Sequence, residues 1–202
     1  MRHRSFFLFL LVSFLIAPAA HAANYKVDTD HTSVSFKIRH LFSNVQGQFK
    51  TFEGSFDYDP AKPETWKVQG SIDTASIDTN VKERDNHLRS ADFFDVQKFP
   101  KITFTSTKFT DVTSTGLPAG QAGAKMQGLL NLHGVEKPVV IDVEIHGVGK
   151  DPWGNVRSAF TGTLKLNRKD YGLTWNEVLE TGQVLVGEEV AITLEVEGIL
   201  QK

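Results

Sequence analysis

With 202 residues, no cysteine and 22 basic against 24 acidic side chains, the chain is long enough for one domain held by its own core and too short for two to be expected. The missing cysteine excludes a disulfide framework, an acylated cysteine anchor and any thiolate metal site. The slightly acidic balance argues against nucleic acid as a partner, because that footprint is a basic face.

Arg2, His3 and Arg4 precede an apolar run from Phe6 to Ile16, and Ala20-His21-Ala22 offers small residues at both positions that decide signal cleavage. This predicts a secretory signal peptide over 1–22 and a mature domain over 23–202, exported to a periplasm. The run is shorter than the roughly 20 apolar residues a bilayer span needs, and no later stretch competes, so stable membrane insertion is not expected. Loss of Arg2 and Arg4 leaves 20 basic side chains against 24 acidic ones.

Strand patterns follow. Val34, Phe36 and Ile38 alternate with Ser33, Ser35, Lys37 and Arg39, the period of a strand with one dry face. Within 46–59 the apolar set Phe49, Phe52, Phe56 and Tyr58 breaks that period by one three-residue step, which predicts a β-bulge in a long bent strand. Val68, Gly70 and Ile72 mark the next strand.

Residues 81–107 then interrupt the alternation with a charged insert that begins like a helix: Asn80 can cap, Glu83 can reach back, and Val81 and Leu88 lie two turns apart on one face. Phe99 before Pro100 must be extended. Ile102, Phe104 and Ser106 alternate beyond it with Thr103, Thr105 and Thr107.

A loop rich in Gly, Ala, Ser and Thr is predicted over roughly 110–123. Met126, Gly128, Leu130 and Leu132, the tight turn His133-Gly134, and Val139, Ile141, Val143 and Ile145 read as a hairpin. Asp151 to Asn155 is a further turn. Phe160, Gly162, Leu164 and Leu166, then Val190, Ile192, Leu194 and Val196, complete the set.

About eight strands, apolar on one face and joined mainly by hairpins, define an all-β antiparallel sheet around one interior. A barrel is favoured over a two-sheet sandwich, since long strands with a bend suit closure. Its inward set is rich in Phe, at 36, 49, 52, 56, 104 and 160. Eight strands enclose a bore that is either filled by side chains or holds one slender ligand, and alternation does not separate the two. An open bore would accept a long hydrocarbon at about 0.8 kcal/mol per methylene. The candidate tail-lining residues are Phe36, Ile38, Phe56, Phe104, Leu130, Ile141, Phe160 and Ile192. Arg84, His87 and Arg89 on the insert are candidates to meet an anionic head, because a guanidinium forks onto phosphate oxygens through two parallel bonds. The competing reading is an outward helix tied by Glu83, Asp85 and Asp92.

Catalytic constellations are not evident. His31, His40, His87, His133 and His146 include no pair at helical i, i+4 spacing, so neither a metal nor a cofactor is expected. No G-x-S-x-G elbow or Gly-rich phosphate loop occurs. Asp142, Glu144, Glu195 and Glu197 fall on the polar, outward face of their strands. The chain therefore reads as a binding protein rather than an enzyme. A secreted β-fold hydrolase or isomerase acting on envelope glycans or lipids, and a structural or stress module with a filled core, are the alternatives.

Several blocks resemble the YceI family: Asp30-His31-Thr32-Ser33 leading into Val34-Ser35-Phe36, Gly47-Gln48-Phe49, Phe52-Glu53-Gly54, the run from Arg84 to Asp95, Phe99-Pro100, Leu132-His133-Gly134-Val135 with Lys137-Pro138-Val139, and Pro152-Trp153-Gly154. The resemblance spans the mature chain in order. Tyr171 to Asn176, Glu180-Thr181-Gly182 and Val186-Gly187 look like a common subgroup. It implies an elongated, lipocalin-like antiparallel barrel, exported in many members, whose lumen holds a polyisoprenoid or related long-chain amphiphile, with no generally accepted enzymatic activity. The partner it implies is a long-chain isoprenoid or fatty lipid. The oligomeric state, a homodimer included, is left open.

Overall fold

The computed structural model describes residues 22–114, 118, 120–180 and 182–202; all of the predicted leader except Ala22 lies outside them. Eleven strands form one antiparallel sheet: β1 (Ala23–Val27), β2 (Ser33–His40), β3 (Ser43–Phe49), β4 (Phe52–Tyr58), β5 (Lys67–Asp73), β6 (Ile77–Asp78), β7 (Lys101–Thr113), β8 (Ala122–Leu132), β9 (Val135–Lys150), β10 (Val156–Asn167) and β11 (Val186–Leu200), with the helix α1 (Lys82–Arg89) between β6 and β7. The sequence β1-β4-β5-β7-β8-β9-β10-β11 closes through a β1–β11 pairing, which makes an eight-stranded ring. The remaining strands, β2-β3-β6, extend three of those staves past a corner: β11 pairs with β1 through 198–200 and with β2 through 186–195.

The corner corrects the expected bulge. Residues 46–59 are two strands with different neighbours, Phe49 ending β3 against β2 and β6 and Phe52 opening β4 against β5. Lys50 N–H donates to Ser76 O at 3.2 Å, and Thr51 O accepts from Asp73 N–H at 2.9 Å. A two-residue corner resets the alternation, so the eight-stranded ring and its β2-β3-β6 extension face one interior. At the adjacent corner, 28–32, the Thr32 hydroxyl replaces a strand backbone group: it accepts from Glu197 N–H at 3.1 Å and donates to Glu197 O at 3.2 Å.

Leu132 and Val135 pair across His133-Gly134, whose φ values of 53° and 75° are what a type I′ turn requires. The predicted 110–123 loop is shorter than its composition suggests. β7 runs on to Thr113, pairing Thr110 with Lys125 and Thr113 with Gly123, and absorbs two register shifts with Asp111 at φ 53°. Ladder hydrogen bonds there override a composition poor in apolar residues.

Helix α1 also departs from expectation at its start. Val81 is the capping position, without a side-chain cap bond, and Asn80 sits one residue early at φ 63° with its N–H on Asp78 Oδ1 at 2.9 Å. The acid that reaches back is Asp85 rather than Glu83. It is buried, and its Oδ1 accepts from Thr79 N–H at 2.8 Å and from the Thr79 hydroxyl at 2.5 Å. Leu88 packs inward whereas Val81 is 42 % exposed, because Val81 lies before the helix rather than on its face.

Buried side chains gather at the two ends of the barrel. One cluster joins Tyr25, Phe56, Tyr58, Trp66, Met126, Ile145 and Phe160, and the other Val34, Phe49, Ile77, Ile102, Leu132, Tyr171 and Leu173. Inward rings crowd inward glycines: Phe36 meets Gly47 and Phe104 meets Gly128 on the neighbouring strand, and Phe56 reaches past β1 to Gly198, leaving no room for a Cβ at any of the three. Rings pressed against a bare wall keep clear of the middle, so an interior rich in Phe need not be a filled one.

Candidate functional site: an apolar bore with a cationic neck

A cavity of about 580 Å³ runs between the two clusters, a size typical of ligand sites. Its floor is Phe56, Val68, Met126 and Phe160. Below the floor only a cavity of about 20 Å³ is left among packed rings: Phe56 and Phe160 meet edge-on at 5.4 Å, Tyr58 and Trp66 lie at 5.0 Å, and Trp66 and Phe109 at 5.4 Å. Phe36, Ile38, Phe56, Phe104, Leu130, Ile141, Phe160 and Ile192 all line the cavity, as do Phe49 and Phe52.

The neck lies at the other end, framed by His40 and Val45 near the β2–β3 turn, by α1, and by Trp175, Leu185 and Val186. The three candidate head-group residues divide. Arg84 lines the cavity, oriented by Nε on the Thr79 hydroxyl at 2.7 Å and Nη2 on Thr79 O at 2.8 Å. His87 also lines it, with Nε2 3.0 Å from Asp92 Oδ2 and its ring edge-on to Trp175 at 4.8 Å and to Phe93 at 5.0 Å. Arg89 is not among the lining residues. Its Nε and Nη2 donate to Ala75 O at 2.7 Å and Ile77 O at 2.5 Å, which fastens the helix to the corner. Of the acids expected to tie an outward helix, only Asp92 does so, through His87; Asp85 is turned onto Thr79, and Glu83 lines the cavity rim.

Arg168 was not anticipated. It is 2 % exposed yet lines the cavity, with Nε on Gly187 O at 2.8 Å and Nη1 on Leu173 O at 2.5 Å. Burial pulls its pKa below that of an ordinary guanidinium, with the Glu188 charge acting in the opposite sense. A signal for it existed: the inward series 160, 162, 164, 166 continues to 168.

A second polar group lies outside the barrel, where the 28–32 corner meets the β9–β10 turn. Asp28, His31 and Glu197 bring one ligand atom each within 4.8 Å of one another. The space is already taken by Arg157, whose Nη1 lies 2.6 Å from both Asp28 Oδ2 and Glu197 Oε1 and whose Nε lies 2.8 Å from Asp151 Oδ2. The Arg157 hydrogen bonds hold the carboxyls of Asp28 and Asp151 below the usual aspartate range.

A closed, elongated antiparallel barrel with one short helix at its neck and a cavity along its axis is a lipocalin-like architecture. Within that class the chain belongs to the YceI-like domain family, whose model matches residues 25–198. A UPF0312 protein of Ectopseudomonas mendocina is 45% identical over 195 residues, covering 95% of either chain. The crystal structure of BcnA from Burkholderia cenocepacia superposes with a TM-score of 0.69 at 25% identity, covering 85% of this chain and 98% of that one. A polyisoprenoid binding domain from Saccharophagus degradans, implicated in plant cell wall breakdown, shares the fold at a TM-score of 0.65 and 17% identity, covering 89% of this chain and 99% of that one.

Proposed function

We propose that the protein binds a polyisoprenoid or other long-chain amphiphilic lipid in the barrel lumen and carries or sequesters it in the periplasm. The observation that carries this reading is an open cavity of about 580 Å³ whose floor and walls are apolar and whose arginines stand at one end. The tail is assigned to the wall formed by Phe36, Ile38, Phe56, Phe104, Leu130, Ile141, Phe160 and Ile192. The head is assigned to the neck beside Arg84 and His87. Each methylene drawn from water contributes about 0.8 kcal/mol, so ten of them offset much of the ordering cost of binding. Membership of the YceI-like family supports the reading, and so does the name of the Saccharophagus domain, through the shared fold.

Periplasmic residence is supported by the Arg2 to Ala22 pattern, and no helix among the described residues is long and apolar enough to cross a membrane. Native mass spectrometry of protein released gently from the periplasm tests both parts. The expected spectrum shows a chain beginning at Ala23 with a lipid-sized adduct that collisional activation removes. A clean, ligand-free mass from several expression hosts overturns the carrier reading.

A further inference from the structure

Arg168 presents an unmet requirement. Two of its nitrogens donate to the carbonyls of Gly187 and Leu173. Nη2 is buried and has no hydrogen-bond partner among the described residues. Glu188, the acid whose charge it feels, is taken by Lys169 at 2.5 Å. A guanidinium stays charged and offers five N–H donors. Burying one without a counter-charge is unfavourable unless a water or a ligand completes it.

Its position gives the requirement a direction. Arg168 lines the cavity together with Leu173, Trp175 and Val186, at the end where α1 brings Arg84 and His87. His87 touches Trp175, two residues beyond the Leu173 carbonyl that Arg168 holds, so the helix and the 168–175 segment meet around one neck. The opposite end of the cavity is Phe56, Val68, Met126 and Phe160. A bore with cations at one end and rings at the other suits an amphiphile in a single orientation.

We propose that Arg168 is the buried anchor of a head-group site, and that the ligand is a long-chain lipid whose head carries anionic oxygen, carboxylate or phosphate. The head meets Arg168 from within the cavity, Arg84 and His87 close its outer side, and the tail points toward Phe56 and Phe160. The proposal rests on the lipid-binding reading above and adds the chemistry and the polarity of the bound molecule.

Three probes of equal chain length test it: hexadecanol, hexadecanoate and hexadecyl phosphate, titrated calorimetrically into the purified, delipidated protein. The wild type is expected to bind at least one anion about tenfold or more tighter than the alcohol, a difference typical of charge-assisted hydrogen bonds. The order of the two anions separates a phosphate head from a carboxylate head. Arg168→Met should bring all three probes within about threefold of one another. Should that variant not fold, the wild type still decides: the Arg168 Nε resonance in nitrogen-detected NMR shifts with the preferred anion and not with the alcohol. Equal binding of the three probes by the wild type, an anion preference that survives in Arg168→Met, or an Arg168 resonance indifferent to the head group overturns the anchor and leaves the lipid reading standing. Failure of the wild type to bind any probe overturns both.

Discussion

Below Phe56 and Phe160 the barrel is packed with rings whose polar handles are spent on the backbone: Tyr58 Oη donates to Gly120 O at 2.8 Å and Trp66 Nε1 to Asp59 O at 2.7 Å. At the neck, aromatic rings of similar size sit beside buried charge, with Asp85 turned onto Thr79, Arg84 onto the same residue and Arg168 onto two carbonyls. Both ends bury side chains, but the two buried side-chain atoms without a hydrogen-bond partner among the described residues, Thr74 Oγ1 and Arg168 Nη2, both belong to the neck end. Satisfied rings make a plug. Charges held in place beside a cavity leave polar groups facing its mouth.

If the lower end is a plug, truncating it should cost stability heavily. Phe160→Ala removes a ring that meets Phe56 edge-on and forms the floor, and it should destabilise the protein by about 3–5 kcal/mol in urea denaturation. Trp66→Ala belongs to the same range but lies below the floor, so lipid retained by the variant should match wild type under native mass spectrometry. Loss of lipid in Trp66→Ala with an unchanged midpoint would reverse the division between plug and bore.

At the neck the corresponding change acts through an orphaned donor. Asp85→Ala leaves the buried Thr79 N–H and hydroxyl without their acceptor, at a cost of about 1–3 kcal/mol. Because α1 is tied to the sheet locally, hydrogen exchange should rise over residues 79–89 while strands β8 to β10 keep their protection. Uniform loosening of the whole barrel would show that the helix is part of one cooperative core rather than an appended frame.

How far the chain announces this arrangement depends on which force sets each feature. Alternation exposes the inward wall, because period-two burial is written residue by residue, and Phe36, Phe104 and Ile192 follow from it directly. The corner at Lys50-Thr51 is hidden, since a reset of the alternation and a bulge leave the same three-residue step; only the change of partner from β2 to β5 tells them apart, and that is a long-range fact. Openness is equally hidden. It depends on Gly47 facing Phe36 across the β2–β3 hairpin, a register that the alternation of either strand alone does not state. Arg168 was legible in parity but concealed by type, because a cation at an inward position is so rarely buried. The same bias favoured Asn80 and Glu83 for the helix start, where Asp85 does the holding.

Gly47→Ala turns that pairing into an experiment on the cavity. A Cβ at 47 meets the far end of the Phe36 ring and the Thr79 methyl, both side chains, so the ring should swing from the wall into the bore. The stability cost should be about 1–2 kcal/mol, the lower part of the range for overpacking, since the cavity receives the ring. Lipid content should fall much further than stability does. A variant that keeps wild-type lipid content would mean that the upper wall is not where the tail lies.

The smallest effect belongs to the ionic clasp outside the plugged end. The carboxyls of Asp28 and Asp151 are both depressed, chiefly by their hydrogen bonds to Arg157. A carboxyl whose folded pKa lies below its unfolded value adds stability that is fully present above the unfolded pKa, near 3.9, and is lost as pH falls through the folded one. From neutrality down to about pH 4 the clasp should therefore leave the melting temperature flat, and below that point it should contribute a decline. Asp151→Asn removes one of the two titrations, so its melting temperature is expected to start lower at pH 7 and to fall less steeply than wild type between about pH 4 and pH 2. Parallel curves for the two proteins would show that the clasp contributes nothing to acid stability. The clasp pins the 28–32 corner to the β9–β10 turn, away from Arg84, His87 and Arg168, so lipid should be retained across the same titration for as long as the barrel stays folded. Release of lipid ahead of unfolding would place the acid-sensitive element at the neck instead.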